Sequence, residues 1–269
     1  MNIILWIGSQ PNQKALANKI HARFHVSAII VEKPVHTRKL SAGKILQAVI
    51  DRTLLSPLIN AWRDMQNGYN SQFPNYPDTE ILEVENINSD KAFEFSIRKK
   101  PDLVIVSGTR LVRKQMLSVP ATIGILNLHT GLSPYVKGGP NCTNWCLATG
   151  DFHLIGNTIM WIDAGIDSGN ILTTEFTPLD GSEDLKGIHQ KVMEHAHDLY
   201  LRAIGFLSEG KTQSIPQSSI SPGKTYYNKE WTLAQKMKAL KNVKRLAKEI
   251  KSGGVIEKRK GISVVPVGS

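Results

Sequence analysis

The sequence predicts an α/β protein: a doubly wound, mostly parallel sheet followed by a short, basic, helical C-terminal extension. Three observations carry this. Apolar runs of strand length alternate with segments of helical spacing from the first residues onward. The run Leu103-Val104-Ile105-Val106 is apolar without a break, as a strand covered on both faces must be. Finally, charge is partitioned: residues 201–269 hold 14 of the 33 Lys and Arg and 4 of the 23 Asp and Glu, so the whole net charge of +10 sits there.

Residues 3–7 and 27–31 read as strands, and between them Leu16, Ile20 and Phe24 fall on one face of a helix from Gln13 to Phe24. Residues 36–66 are basic, then apolar at helical spacing, and read as a helical insertion. Asn67 to Thr79, polar with two prolines, reads as a loop. A strand over 81–85 precedes a helix that starts at Asn88-Ser89-Asp90 and is stopped by Pro101. After the 103–106 strand come a helix near Val112–Leu117 and a buried strand from Ile123 to Leu128. A short helix follows Pro140. Strands are expected over 158–162 and 171–177, then a long helix over 183–208 opened by Ser182-Glu183-Asp184. Residues 210–225, rich in Ser, Pro and Gln, read as a linker. Residues 232–251 form an amphipathic helix with Leu233, Met237, Leu240, Ala247 and Ile250 inward, ended by Gly253-Gly254. This divides the chain into a unit over 1–209 and a linker with basic helical extension over 210–269.

A length of 269 residues with 41% hydrophobic residues suits one large α/β domain with an appendage. No apolar run reaches the ~18 residues a membrane helix needs, and Met1 to Gly8 reads as a first strand rather than a signal peptide. Two cysteines, Cys142 and Cys146, make no disulfide framework and point to a reducing, cytoplasmic setting. They sit at i and i+4 with no further ligands at metal spacing, so no metal site is expected and two buried core thiols are. His195 and His197, two apart on a helix, point to different sides, which predicts solvated or capping roles. Gly8-Ser9-Gln10-Pro11 has one glycine and is no dinucleotide fingerprint, and no phosphate-cradling P-loop is present. The basic tail suits an anionic partner such as RNA, a nucleotide or a polyglutamate; a solvated lysine-rich helix fits the same pattern.

The informative stretch is 124–172. One strand delivers Asn127 and His129 to the same face at its C-terminal end, because strand side chains repeat every two residues. A Gly/Pro-rich loop follows, and Asp163 and Asp167 lie in a glycine-containing loop between two later strands. Together these types suit acyl transfer to an amine. An Asn amide can hold a carbonyl oxygen that gains negative charge, a His can manage the amine proton near neutral pH, and a carboxylate can orient the ring. The same residues also fit structural roles, with Asn127 capping a turn, His129 buried and satisfied, and Asp167 starting a turn.

Asn127-Leu128-His129 with its Pro/Gly loop, Gly156-Asn157-Thr158-Ile159, and Ile166-Asp167-Ser168-Gly169-Asn170-Ile171 resemble, in that order, the folate-dependent formyltransferases. That family includes the glycinamide ribonucleotide, methionyl-tRNA and sugar-nucleotide N-formyltransferases. The resemblance implies the formyltransferase Rossmann-like fold and 10-formyltetrahydrofolate as the formyl donor. Asn127 would polarise the formyl oxygen, His129 would act as general acid/base, and Asp167 would be the catalytic carboxylate. Ser107, Gly108, Leu111 and Val112, with Asp163 and Gly165 in the Asp loop, would contact the folate. Lys137, Gly138 and Asn141 would border the acceptor.

The sequence departs from the family pattern in the loop after His129. Thr130-Gly131-Leu132-Ser133-Pro134 stands where Pro-Ser-Leu-Leu-Pro is usual, and Lys137-Gly138 where Arg-Gly is usual. Residues 210–269 look helical and too small for the C-terminal barrel of methionyl-tRNA formyltransferases. The expected acceptor is therefore a small, phosphorylated amine such as an amino-sugar nucleotide. The alternatives are an aminoacyl-tRNA held by the basic C-terminal helix, water in a formyltetrahydrofolate hydrolase, or no reaction in a binding protein on this fold.

Overall fold

The computed structural model describes residues 1–35 and 52–267. The chain opens with β1 (Ile3–Gly8), α1 (Pro11–Arg23) and β2 (Val26–Glu32), and continues with α2 (Ser56–Gln72), β3 (Glu80–Val84) and α3 (Asp90–Lys99). Next come β4 (Leu103–Ser107), the single turn α4 (Lys114–Leu117), β5 (Gly124–His129), β6 (Lys137–Gly138), α5 (Cys142–Thr149), β7 (Gly156–Trp161) and β8 (Ile171–Phe176). The long α6 (Leu185–Ser208), β9 (Thr225–Tyr226), α7 (Leu233–Lys251) and α8 (Gly254–Arg259) complete it.

Seven strands form one sheet in the order β3-β2-β1-β4-β5-β7-β8. The first five run parallel, while β7 pairs antiparallel with both β5 and β8. The sheet is doubly wound because β1 sends the chain outward through β2 and β3, then the chain returns to its other side at β4. A crevice opens at such a reversal, beyond the C-terminal strand ends. β1 shows why these segments are apolar throughout. Ile3, Leu5 and Ile7 face α1 and α6, packing with Leu16, Ile20, Tyr200 and Ile204. Ile4 and Trp6 face the opposite layer with Phe95, Val104 and Met116. Each of these buried aliphatic side chains stabilises the fold by ~1.5–3 kcal/mol. Helix ends follow local chemistry. Pro11 starts α1 at a position whose N–H needs no partner, and the Ser89 hydroxyl accepts from the Ala92 N–H at 3.3 Å to cap α3.

Three expectations change. Residues 67–72 are not loop: α2 runs on to Gln72 because Met65 and Tyr69 continue its buried stripe, and it stops just before Pro74. Of the expected insertion over 36–66, residues 36–51 lie outside the described residues. The helix near 112–117 shrinks to one turn, and α8 forms after Gly254, where only an end was expected.

The stretch read as a linker is fixed to the sheet. Ile215 bridges Ile171 at the edge of β8, Trp161 Nε1 donates to the Gln213 carbonyl at 2.9 Å, and β9 pairs with β6 in a separate two-stranded ribbon. Farther on, α7 packs on α5: Ala239 and Leu246 of α7 and Val255 of α8 share a core with Trp145 and Cys146 of α5 and with Phe152 just beyond it. Trp145 stacks on Tyr226 at 4.4 Å and meets Trp231 edge-on at 4.9 Å. Among the described residues, no helix is long and apolar enough to cross a membrane.

Candidate active site

β5 ends at the crevice with Asn127 and His129 on one face. His129 is buried and its ring is held on both sides. Nδ1 lies 3.4 Å from Asp167 Oδ2, and Nε2 lies 3.2 Å from the Val136 carbonyl and 3.4 Å from Cys142 Sγ. The chain can fold over the ring because residue 131 is glycine. A Cβ there would stand 2.4 Å from His129 Nε2 and 2.8 Å from the Val136 oxygen. The Asn127 side chain has no hydrogen-bond partner among the described residues and points its amide chemistry into the crevice walls described below.

Asp167 comes from the loop between β7 and β8. Its backbone is left-handed, with φ +48°, an uncommon state for a residue with a side chain. The Gly138 N–H donates to Asp167 Oδ2 at 2.9 Å. Gln217 Nε2 donates to the carbonyls of both Asp167 and Gly169 at 2.8 Å, clamping the turn. Asp163 holds the same loop from within: its Oδ1 accepts from the Gly165 N–H at 2.9 Å and the Ser168 hydroxyl at 2.6 Å.

Two cavities meet here. The first, about 370 Å³, has apolar walls from Val106, Leu111, Val112, Met160 and Ile162, and is edged by Asp163, Gly165, Tyr227 and Asn228. The second, about 420 Å³, is largely polar, with Gln10, Asn12, Gln13, Ser107, Asn141 and the flat face of Trp62. Thr109, Asn127, Gly138 and Asp167 line both. The sequence-predicted residues are thus brought together in two groups. Leu111, Val112, Asp163 and Gly165 border the first cavity, while Ser107 and Gly108 border the second, beside His129. Asn141 also caps α5, its Oδ1 accepting from the Asn144 N–H at 3.0 Å. Lys137 lines neither cavity and faces a separate hollow with Ser168, Asn170 and Pro216.

Most of the chain matches known proteins. A family model described as formyl transferase matches residues 4–204. The chain belongs to the formyl transferase family. The methionyl-tRNA formyltransferase of Pelobacter propionicus is 30% identical over 183 residues, covering 64% of this chain and 56% of that protein. The chain spans about half the length of the curated relatives it matches. A solved sugar N-formyltransferase from Shewanella sp FDAARGOS_354 superposes with a TM-score of 0.58 at 14% identity, covering 90% of this chain and 88% of that one. The N-formyltransferase from Helicobacter canadensis, solved with folinic acid and dTDP-3-aminofucose, gives 0.53 at 12% identity, covering 91% and 81%. These two likenesses show the fold.

In this member of the family three site features escape sequence reading. Gln217 and the Tyr227–Asn228 wall arrive from the expected linker and beyond, with no periodicity to mark them. Cys142 reads as a core thiol, and burial does push its thiol well up, with the Asp167 carboxylate adding to the effect. Its contact with His129 is visible only in three dimensions. The solvated roles expected for His195 and His197 do not hold. His195 is tied to Asn157 Nδ2 at 2.9 Å and Glu175 Oε2 at 3.1 Å. His197 is fully buried with both nitrogens unpartnered, because α6 turns it onto α2 beside Tyr69. Among the described residues no group of His, Cys, Asp or Glu is arranged to hold a metal ion.

Proposed function

We propose that this protein transfers a formyl group from 10-formyltetrahydrofolate to the primary amine of an amino sugar, most readily within a sugar nucleotide. The observation that carries the reading is the junction of two unlike cavities at Asn127 and Asp167, with His129 lining the polar one. The apolar slot fits a flat heteroaromatic ring in volume and lining. Val106, Leu111, Val112, Met160 and Ile162 would sandwich the folate ring system, and the Asp163–Gly169 loop would offer backbone groups to its polar edge. The bound folate supplies the formyl group.

At the junction each side chain has one task. The Asn127 amide would donate to the oxygen that gains negative charge. His129 would take the proton released by the amine, and Asp167 would hold the ring and balance its charge. The polar cavity would receive the acceptor. Gln13 Oε1 is buried there without a partner, ready for a hydroxyl. Trp62 offers an apolar face, and no Lys or Arg of the described residues lines this cavity. Such a lining suits a neutral, hydroxyl-bearing ring, with any phosphate held outside it. Support also comes from the Helicobacter canadensis relative, whose structure holds folinic acid together with an amino-sugar nucleotide.

A second reading is transfer to an aminoacyl-tRNA. It is favoured by α7, which exposes Lys241, Lys244, Lys248 and Lys251 at helical spacing, and by the Pelobacter propionicus relative. One assay separates the readings: deformylation of 10-formyltetrahydrofolate with a panel of amino-sugar nucleotides, with aminoacyl-tRNA, and without amine. Turnover with an amino sugar only, reduced roughly 100-fold or more by His129→Ala, supports the proposal. Salt-sensitive turnover with tRNA supports the second reading. Turnover without amine indicates a hydrolase, and loss of turnover in every arm overturns the assignment.

A further inference from the structure

We propose that the Cys142 thiol is a positioning residue that matches its hydrogen bond to the protonation state of His129. The inference rests on His129 handling a proton, as proposed above. Each nitrogen of the ring faces fixed partners. Nδ1 faces Asp167 Oδ2 at 3.4 Å. Nε2 faces the Val136 carbonyl at 3.2 Å and Cys142 Sγ at 3.4 Å. A carbonyl can only accept. When the ring carries both protons, Nε2–H donates to Val136 and Nδ1–H donates to Asp167, so both bonds are made. When the ring is neutral with its proton on Nδ1, the Nε2 lone pair confronts the Val136 oxygen, and two acceptors cannot bond. The thiol is then the one donor in contact with Nε2 among the described residues.

Cys142 has a resting place for its proton in the other state. The Gly138 carbonyl lies 3.5 Å from Sγ, so the S–H can turn from Nε2 to this oxygen when the ring becomes charged. No proton leaves sulfur in either state. Burial, reinforced by Cys146 and Asp167, holds the thiol well above its ordinary range, so it keeps the proton it must donate. The ionisable groups against the imidazole are Asp167 on the β7–β8 loop and Cys142 on α5; Cys146, one turn along α5, acts on the thiol. The same Gly138 receives the thiol at its carbonyl and gives its N–H to Asp167 at 2.9 Å, so one residue links both sides of the ring.

The test is to record the ring nitrogens of His129 by two-bond ¹H–¹⁵N NMR across pH in the full chain, for wild type, Cys142→Ala and Cys142→Ser. In wild type the neutral ring should carry its proton on Nδ1. In Cys142→Ala the neutral ring loses its partner, so the midpoint should rise by roughly half to one pH unit, the size of one weak hydrogen bond. The remaining neutral population should shift toward Nε2–H. Ser, which keeps a donor, should reverse most of both changes. The acid limb of the kcat profile should move with the midpoint in Ala while KM for the folate stays put. An unchanged midpoint and tautomer in Cys142→Ala overturns the inference, even where His129→Ala abolishes turnover. A shifted midpoint with full turnover in His129→Ala would instead retain the pairing and remove the proposed role of His129.

Discussion

The Asp167 carboxylate meets the His129 ring from a left-handed backbone: Oδ2 stands 3.4 Å from Nδ1 while φ is +48°. That conformation is costly for a residue with a side chain, ~1–3 kcal/mol, and endures where neighbours fix it. The first prediction follows. Asp167→Asn keeps an oxygen for the Gly138 N–H but removes the charge beside the ring. Turnover should fall by roughly 100- to 10,000-fold, with a melting temperature close to that of the wild type. Deformylation rate and a thermal scan measure the two separately.

Gln217 makes the second prediction. Among the described residues it alone holds the carbonyls of Asp167 and Gly169, from a 3-10 turn at Gln217–Ser219. Gln217→Ala removes one buried and one half-buried hydrogen bond and should cost about 1–3 kcal/mol. The freed turn should lower kcat roughly ten- to a hundredfold through misplacement of the carboxylate. Wild-type kcat in a folded variant would dismiss the clamp.

Gly138 is where β6 and β9 approach closely. Its φ is +88°, and a Cβ would come within 2.1 Å of the Tyr226 oxygen. Gly138→Ala should part β6 from β9 and withdraw Tyr227 and Asn228 from the apolar cavity. Hydrogen exchange should quicken over 224–228 and folate affinity should drop. Unaltered exchange there would contradict the close approach.

Acid should loosen α6 from α2. Burial pushes His189 down to about 4 from its ordinary 6.5, and His197 well below it. Both rings stay neutral in the folded chain, whereas the unfolded chain takes up protons below pH 6.5. Stability is therefore undiminished above pH 6.5 and falls as pH drops toward 4, by about 3 kcal/mol for His189 alone. Urea midpoints at pH 7.5 and pH 5 should show the loss, and His189→Leu should flatten it. Equal slopes in both proteins would locate the acid sensitivity elsewhere.

Much of this architecture could be read in advance where one physical signal dominates. Unbroken apolar runs mark β1 and β4 as covered on both faces, and the two-residue strand period is enough to set Asn127 and His129 side by side. Leu111, Val112, Asp163 and Gly165, singled out through the family resemblance, share one cavity. Reading fails where a long-range contact decides. Asn67 to Gln72 reads as part of a polar loop, yet Tyr69 is buried against α6, and the helix persists. His197 looks solvated, but a position two residues from His195 on a helix simply faces the neighbouring layer. Gln217 and β9 carry no pattern, because single hydrogen bonds and a two-residue strand leave no periodic trace.

The pairing of Lys137 and Gly138 with Thr225 and Tyr226 also sets an order of events. The sheet through β5 assembles from neighbouring segments, whereas the ribbon must wait for chain made much later. During synthesis the first 200 residues can therefore be folded while the outer wall of the apolar slot is still missing. A ribosome-bound chain of that length should possess its core but grip folate poorly, so competence arrives in one late step rather than growing with the domain.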